Sequence, residues 1–264
     1  MTMQWGTAGD FPSTYEDVNV TAFFRVFAED LVERLSLQPG EALLDVATGT
    51  GVVLRTARER VPQLARAVGI DMTPGMLAVA RSRAGAGFEW VEGDATELPF
   101  GDGEFDVVTC QQGLQFFPDR ARALSEMRRV GAGGRIAVAC WGPLDAQPGP
   151  SALARAAEAE IPDVAGVASA PFSLAGKDLA ELVSDAGFAD VELVEVQLDA
   201  RYASAEQLVD GFAKGSPLAL VLPTLDQDAA ARWRAGAISE LRAHEGTDGL
   251  TLPMVTSLVT ATSP

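Results

Sequence analysis

The sequence predicts an α/β protein built on a doubly wound, mostly parallel sheet, and three observations predict it. Short apolar runs alternate with helix-periodic runs over residues 42–141, a glycine-rich turn follows the first apolar run, and aspartates stand at the ends of successive runs. With 264 residues, 47% of them hydrophobic and 22% charged, the chain can bury a full core, and one domain with insertions is expected.

Each element follows from its own pattern. Phe23, Phe24, Phe27, Leu31 and Leu35 repeat at helical spacing over residues 20–37 until Pro39-Gly40 stops them, which makes an amphipathic helix. Strand-like runs come next at 42–47, 66–70, 88–92, 105–110 and 135–141, with helix-like runs at 52–60, 76–83 and 120–130 between them. That alternation requires crossovers, and so a parallel sheet covered on both faces. Gly142-Pro143 and Pro148-Gly149-Pro150 then punctuate the chain ahead of an Ala-rich helix at 151–160, read as an insertion. A helix at 178–186 ends at Gly187, and residues 190–198 read as a strand with Val191, Leu193, Val194 and Val196. Residues 205–213 and 226–244 read as helices, and the Val-, Leu- and Thr-rich stretch 250–260 as the last strand.

Charge narrows the partners. The 37 Asp and Glu outweigh 20 Lys and Arg, a formal charge of −17, so phosphate backbones and anionic lipid surfaces are repelled and neither nucleic acid nor membrane is an expected partner. No run of 18 apolar residues occurs, and the N-terminus lacks the basic flank and apolar stretch of a secretory signal. Cys110 and Cys140 are too few for a disulfide scaffold and too widely spaced for a metal or redox motif. A soluble, cytoplasmic protein without a metal, monomeric or homodimeric, is the expectation.

The chemistry concentrates in one constellation. Leu43-Leu44-Asp45-Val46-Ala47-Thr48-Gly49-Thr50-Gly51 sets a glycine turn between a strand and a helix, where backbone can approach a ligand and free N–H groups meet an anion. Asp71 closes the second strand 20 residues beyond Gly51, the separation at which a carboxylate reaches ribose hydroxyls. A third strand is followed by Gly93-Asp94-Ala95, where a carboxylate beside a backbone N–H matches the amine and ring nitrogen of adenine. Asp45, Asp71 and Asp94 are therefore expected along the C-terminal edge of one sheet. Leu54 stands where a dinucleotide site needs its third glycine, and no Lys follows the turn as a Walker-type loop requires. An adenosine cofactor without phosphates fits better, with an ammonium for Asp45 and a carboxylate for the Gly49–Gly51 turn.

These motifs resemble the class I S-adenosylmethionine-dependent methyltransferases, especially the small-molecule branch that includes ubiquinone and menaquinone biosynthesis enzymes. Residues 45–51 resemble the first motif, with Ala47 where Gly is commoner; Gly69-Ile70-Asp71-Met72-Thr73-Pro74-Gly75-Met76-Leu77 resembles the second. Glu92-Gly93-Asp94-Ala95 through Phe100 looks like the third, and residues 105–119 look like the fourth. The resemblance implies a Rossmann-like seven-stranded sheet, mostly parallel with an antiparallel last strand, carrying an N-terminal helical lid and helical insertions. It divides the chain into a lid (1–39), a cofactor-binding core (40–142), acceptor-side insertions (143–189 and 203–248) and closing strands (190–202 and 249–262). It also implies S-adenosylmethionine as cofactor, S-adenosylhomocysteine as product, and a contact set of Asp45, Ala47, Thr48, Gly49, Gly51, Asp71, Met72, Met76, Asp94, Ala95 and Gln111. Tyr15 lies where relatives set a tyrosine over the cofactor's carboxylate, or else packs on the lid helix.

Methyl transfer needs an in-line approach to the sulfonium methyl, so positioning and water exclusion carry most of the rate. Many relatives carry a His near the fourth motif, whereas here the run is Gly113-Leu114-Gln115-Phe116-Phe117, and Gln115 cannot take a proton. His244, the one histidine, reads as a solvated helix residue beside Glu240 and Glu245, so no catalytic base is assigned. Gln115, Phe116, Trp141 and Phe172 are expected to meet a small, largely apolar acceptor, with Phe212 and Trp233 as further apolar candidates. Phe23, Phe24 and Phe27 read as core. A relative that has lost methyl transfer and uses the cofactor for a rearrangement, or structurally, is the competing reading, and an NAD enzyme is a distant third.

Overall fold

A computed structural model describes residues 11–264 of the chain; the first ten residues of the expected lid lie outside the described residues. The helical start reaches farther back than the aromatic repeat predicts. α1 (Phe11–Thr14), a π-helical stretch (Tyr15–Phe24) and α2 (Arg25–Leu35) follow one another without a break. Ser13, Thr14, Glu16, Asp17 and Asn19 interrupt the apolar period there, so the sequence marks only the later part. The wider π winding, common at functional sites, brings Tyr15, Asn19, Phe23 and Phe24 to one shared surface.

The alternating elements follow as β1 (Ala42–Val46), α3 (Val52–Arg60), β2 (Arg66–Asp71), α4 (Pro74–Arg83), β3 (Glu89–Glu92), β4 (Val107–Gln111), α5 (Arg120–Val130) and β5 (Arg135–Trp141). Then come α6 (Pro148–Glu160), α7 (Ala165–Ser169), α8 (Gly176–Asp185), β6 (Ala189–Tyr202), α9 (Ala205–Gly215), α10 (Leu218–Val221), α11 (Gln227–Leu241), β7 (Glu245–Gly246) and β8 (Gly249–Thr262). The sheet order is β3-β2-β1-β4-β5-β8-β6, so β1 lies where the order reverses, flanked by parallel β2 and β4. The last strand, β8, runs antiparallel between β5 and β6, as the resemblance implied. Beyond the seven strands expected, two-residue β7 pairs with β8 alone; a segment that short leaves no periodic trace in a sequence.

Side chains alternate across the sheet. Leu43, Ala67, Val107 and Ala137 join one core with α2, α3, α6, α9 and α11, while Leu44, Val68, Val108 and Val138 join another with α5 and α8. Each such Val or Leu contributes about 1.5–3 kcal/mol by leaving water, which fixes the strands whose ends carry the site. Among the described residues, no helix is long and apolar enough to cross a membrane.

Candidate active site

An open sheet leaves a crevice beyond its C-terminal strand ends where the order reverses, here at β1 and β4. The turn after β1 is wound left-handed at Ala47 (φ 55), Gly49 (φ 55) and Gly51 (φ 80). Ala47 bears a side chain in a conformation that costs about 1–2 kcal/mol, and Gly113 makes room for it, since a Cβ there would come within 2.7 Å of Ala47 Cβ. Gly51 caps α3 beneath Trp90 of β3, where a Cβ would meet the indole at 2.3 Å. The turn is thereby clamped from below by an aromatic ring.

The three aspartates sit at the strand ends with distinct surroundings. Asp71 ends β2 and accepts the Gly49 N–H at 2.8 Å and the Thr73 N–H at 2.9 Å, tying the glycine turn to the loop before α4. Burial pushes its carboxyl above the usual range against the pull of those bonds. Asp45 is 1% exposed, accepts hydroxyl hydrogens from Thr48 at 2.6 Å and Thr109 at 2.7 Å, and is pushed by burial up to about 7. Asp94 is exposed, and its Oδ1 accepts the N–H and hydroxyl of Thr96, each at 2.8 Å. Tyr15 lies over the turn, its Cε1 3.9 Å from where a Gly49 Cβ would be, and burial with the charge of Asp71 pushes its phenol well above the usual range. Next to it, Glu16 pairs with Arg55 of α3 at 2.7 Å, and Arg55 also donates to the Thr50 carbonyl at 2.6 Å, fastening the π-helical stretch to the turn.

From these strand ends a cavity of about 310 Å³ runs inward. Asp71 and Asp94, both at the strand-end half, are its charged lining residues, and no Lys, Arg or His lines it among the described residues. The inner half is an aromatic box: Phe24 lies tilted 4.8 Å from Tyr15, Phe23 and Phe24 lie 5.6 and 5.5 Å from Trp141, and Phe23 stacks 5.9 Å from Phe212. Burial drives Cys110 upward and pushes Cys140 up to about 12, so neither offers a thiolate.

Of the cofactor set expected from the sequence, the structure brings Tyr15, Ala47, Gly49, Asp71, Met72, Met76, Asp94, Ala95 and Gln111 to the cavity wall. Asp45, Thr48 and Gly51 do not line it: Asp45 and Thr48 are bonded to each other behind the turn, and Gly51 faces Trp90. Phe116, Trp141, Phe172 and Phe212 line the inner half, while Gln115 lies outside it, its amide donating to the Gln112 carbonyl at 3.0 Å. Trp233 is a packing residue, 2% exposed, with its indole N–H on the Leu153 carbonyl at 3.2 Å. Phe23 and Phe24 are both core and cavity wall, more than the helical repeat alone predicts, while Phe27 stays in the core. His244 is exposed, away from the cavity. Asn19, Gln112 and Met254 escaped sequence reasoning; only Gln112, in a polar run straight after a strand, carried any signal.

The lining suits an adenosine without phosphates: carboxylates at or just beyond successive strand ends, a turn free of a Cβ at Gly49 and, among the described residues, no cation placed for phosphate. Comparison with known proteins gives the same answer. A methyltransferase domain family matches residues 44–138. Nocamycin O-methyltransferase of Saccharothrix syringae is 32% identical over 262 residues, 92% of this chain and 93% of that protein. Demethylmenaquinone methyltransferase of Deinococcus radiodurans is 47% identical over 98 residues, a match in which this chain spans only 40% of that protein. The solved structure of Haemonchus contortus phosphoethanolamine N-methyltransferase 2 with S-adenosyl-L-methionine shares the fold, with a TM-score of 0.61 at 19% identity over 96% of this chain and 56% of that one. The chain belongs to the class I S-adenosylmethionine-dependent methyltransferases. It is an enzyme of methyl transfer, and S-adenosylmethionine is the cofactor its family uses.

Proposed function

We propose that this enzyme methylates a small, largely apolar metabolite at oxygen, nitrogen or activated carbon. One observation carries the reading: a single cavity is acidic and glycine-lined at the strand ends and aromatic, without a charged residue, at its inner half. In this reading Asp71 holds the ribose hydroxyls, Asp94 and the Ala95 N–H hold adenine, and Met72 and Met76 pack beside the base. Ala47 and Gly49 receive the methionine tail with Gln111, Tyr15 covers it, and Asp45, Thr48 and Gly51 keep the turn in shape.

When bound, the cofactor supplies an electrophilic methyl on a sulfonium. The chain's own contribution is to bind, to orient and to exclude water; Phe23, Phe24, Trp141 and Phe172 dry the path of approach. Among the described residues, no lining residue of the inner half is placed to take a proton, because Asp71 and Asp94 serve the other end and the Tyr15 phenol is held protonated. The nucleophile is therefore one that needs no base from these residues: an already nucleophilic amine, or an enol or phenol acidic enough to have given its proton to water and to react as the enolate or phenolate. The name of the full-length Saccharothrix relative, an O-methyltransferase, supports oxygen.

Incubation with methyl-labelled cofactor and a panel of enols, phenols and amines tests this. Label is expected in an apolar acceptor alongside S-adenosylhomocysteine. Label retained on the cofactor across the panel, despite tight cofactor binding, overturns methyl transfer and favours the rearrangement reading.

A further inference from the structure

Gln112 stands directly after β4 with φ 50, a left-handed conformation that a side chain rarely adopts and that proteins keep where it serves a site. Three hydrogen bonds hold it there. Its N–H donates to the Ala139 carbonyl at 2.8 Å, its own carbonyl accepts the Gln115 amide at 3.0 Å, and its Nε2 donates to Thr256 Oγ1 at 2.9 Å. Thr256 sits opposite Trp141 in the β5–β8 register, and Met254 lies two residues along the same strand; Trp141 and Met254 both line the cavity. The tether thus draws the Gln112 amide toward the aromatic half, away from the glycine turn.

That amide is incomplete. Gln112 lines the cavity, is 5% exposed, and its Oε1 has no hydrogen-bond partner among the described residues. A buried carbonyl oxygen without a donor is unfavourable, and a ligand that supplies the donor removes the penalty. The rest of the wall sharpens what that ligand is. With no Lys, Arg or His lining the cavity among the described residues, a carboxylate or phosphate in the aromatic half would be desolvated without a counter-charge from the chain.

We propose that Gln112 is a specificity-determining residue that accepts a hydrogen bond from the molecule to be methylated. That molecule is an apolar compound bearing a neutral hydroxyl or N–H donor and no carboxylate, phosphate or sulfate. The proposal rests on the methyl-transfer reading above and adds to it the chemical class of the substrate.

Calorimetry on the full chain loaded with S-adenosylhomocysteine tests it with three probes: 2-naphthol, its methyl ether and 2-naphthoate. 2-Naphthol is expected to bind at least about tenfold more tightly than either of the others, the worth of one hydrogen bond and of one avoided unpaired charge. Gln112→Met should bring 2-naphthol to within about threefold of the ether, with S-adenosylhomocysteine affinity unchanged and 2-naphthoate still rejected. Thr256→Val keeps the amide and removes its tether, and should shift the ratio the same way by less; it carries the test should Gln112→Met fail to fold. Equal binding of 2-naphthol and its ether, tighter binding of the ether or of 2-naphthoate, or no uptake of any probe by a chain that still binds S-adenosylhomocysteine overturns the proposal. A wild-type chain that does not bind S-adenosylhomocysteine overturns instead the methyl-transfer reading beneath it.

Discussion

The strand-end half of the cavity and its aromatic half are assembled on different scales. At the strand ends, Ala47 and Gly49, Asp71, Asp94 and Gln111 each lie at or within a few residues of a strand terminus, so the sheet itself delivers them. The aromatic half is drawn from the π-helical stretch, α6, α9 and β8, held by contacts such as the Asn19 amide on the Gly215 carbonyl at 2.9 Å across 196 residues of chain. The difference teaches where each function is stored. In the proposed reading the cofactor's contacts come from turns the fold cannot dispense with, whereas the acceptor's come partly from helices outside the sheet and partly from Trp141 and Met254 on its strands.

Four expected outcomes test this contrast. The largest belongs to Gly51→Ala, which drives a Cβ into the Trp90 indole at a left-handed position; overpacking and backbone strain together should cost about 4 kcal/mol in thermal or denaturant unfolding. Adding Trp90→Ala should return the packing part of that loss, and an unshifted Gly51→Ala melt would remove the clamp from the account.

Asp45 comes next, through pH. Burial holds its folded pKa, about 7, above that of an unfolded aspartate, so stability from this group is full below about pH 4 and falls as pH rises toward 7. Asp45→Asn should therefore gain on the wild type over that interval, by at most about 4 kcal/mol, and the gain should stay level above it. A difference in unfolding temperature that does not change with pH would show that Asp45 is not held in this way.

Asp71→Ala removes the acceptor of the Gly49 and Thr73 N–H groups as well as the proposed ribose partner. It should weaken S-adenosylhomocysteine binding by about 1.5–3 kcal/mol, or tenfold to a hundredfold, by calorimetry. Phe172→Ala, in the partly buried wall of the other half, should leave that affinity within about twofold and lower kcat/KM for methyl transfer about tenfold. Should Phe172→Ala weaken cofactor binding as much as Asp71→Ala does, the two halves are not separable.

What the sequence made legible follows the same division. The alternation through β5 and the aspartates near the ends of three strands were readable because short apolar runs, buried on both faces of the sheet, and strand-end turns are local patterns. That Asp45 lies behind the turn was not, since its partner Thr109 is 64 residues away, nor was the fit of Trp90 over Gly51 and Gly69. Phe23 and Trp233 look alike as apolar residues in helical runs, yet one faces the cavity and the other pins α11 to α6 through Leu153. Which of the two roles an apolar residue takes depends on how distant helices dock, and no periodicity encodes that. Gln112 escaped for a related reason: its left-handed backbone leaves no periodic trace, and its bond to Thr256, across 144 residues, exists only once β8 is in place.

The position of β8 has a consequence for how the molecule is made. It leaves the ribosome after β6, yet in space it joins β6 to β5, with Trp141 opposite Thr256 and Tyr202 opposite Leu250. A nascent chain translated through residue 248 holds two strands with open edges and nothing to bridge them, the kind of surface that recruits other chains. Completion of the sheet, and with it of the wall that carries Met254, thus waits until β8 follows β6 out of the ribosome, so this wall of the cavity closes only after the strands on either side of it are made.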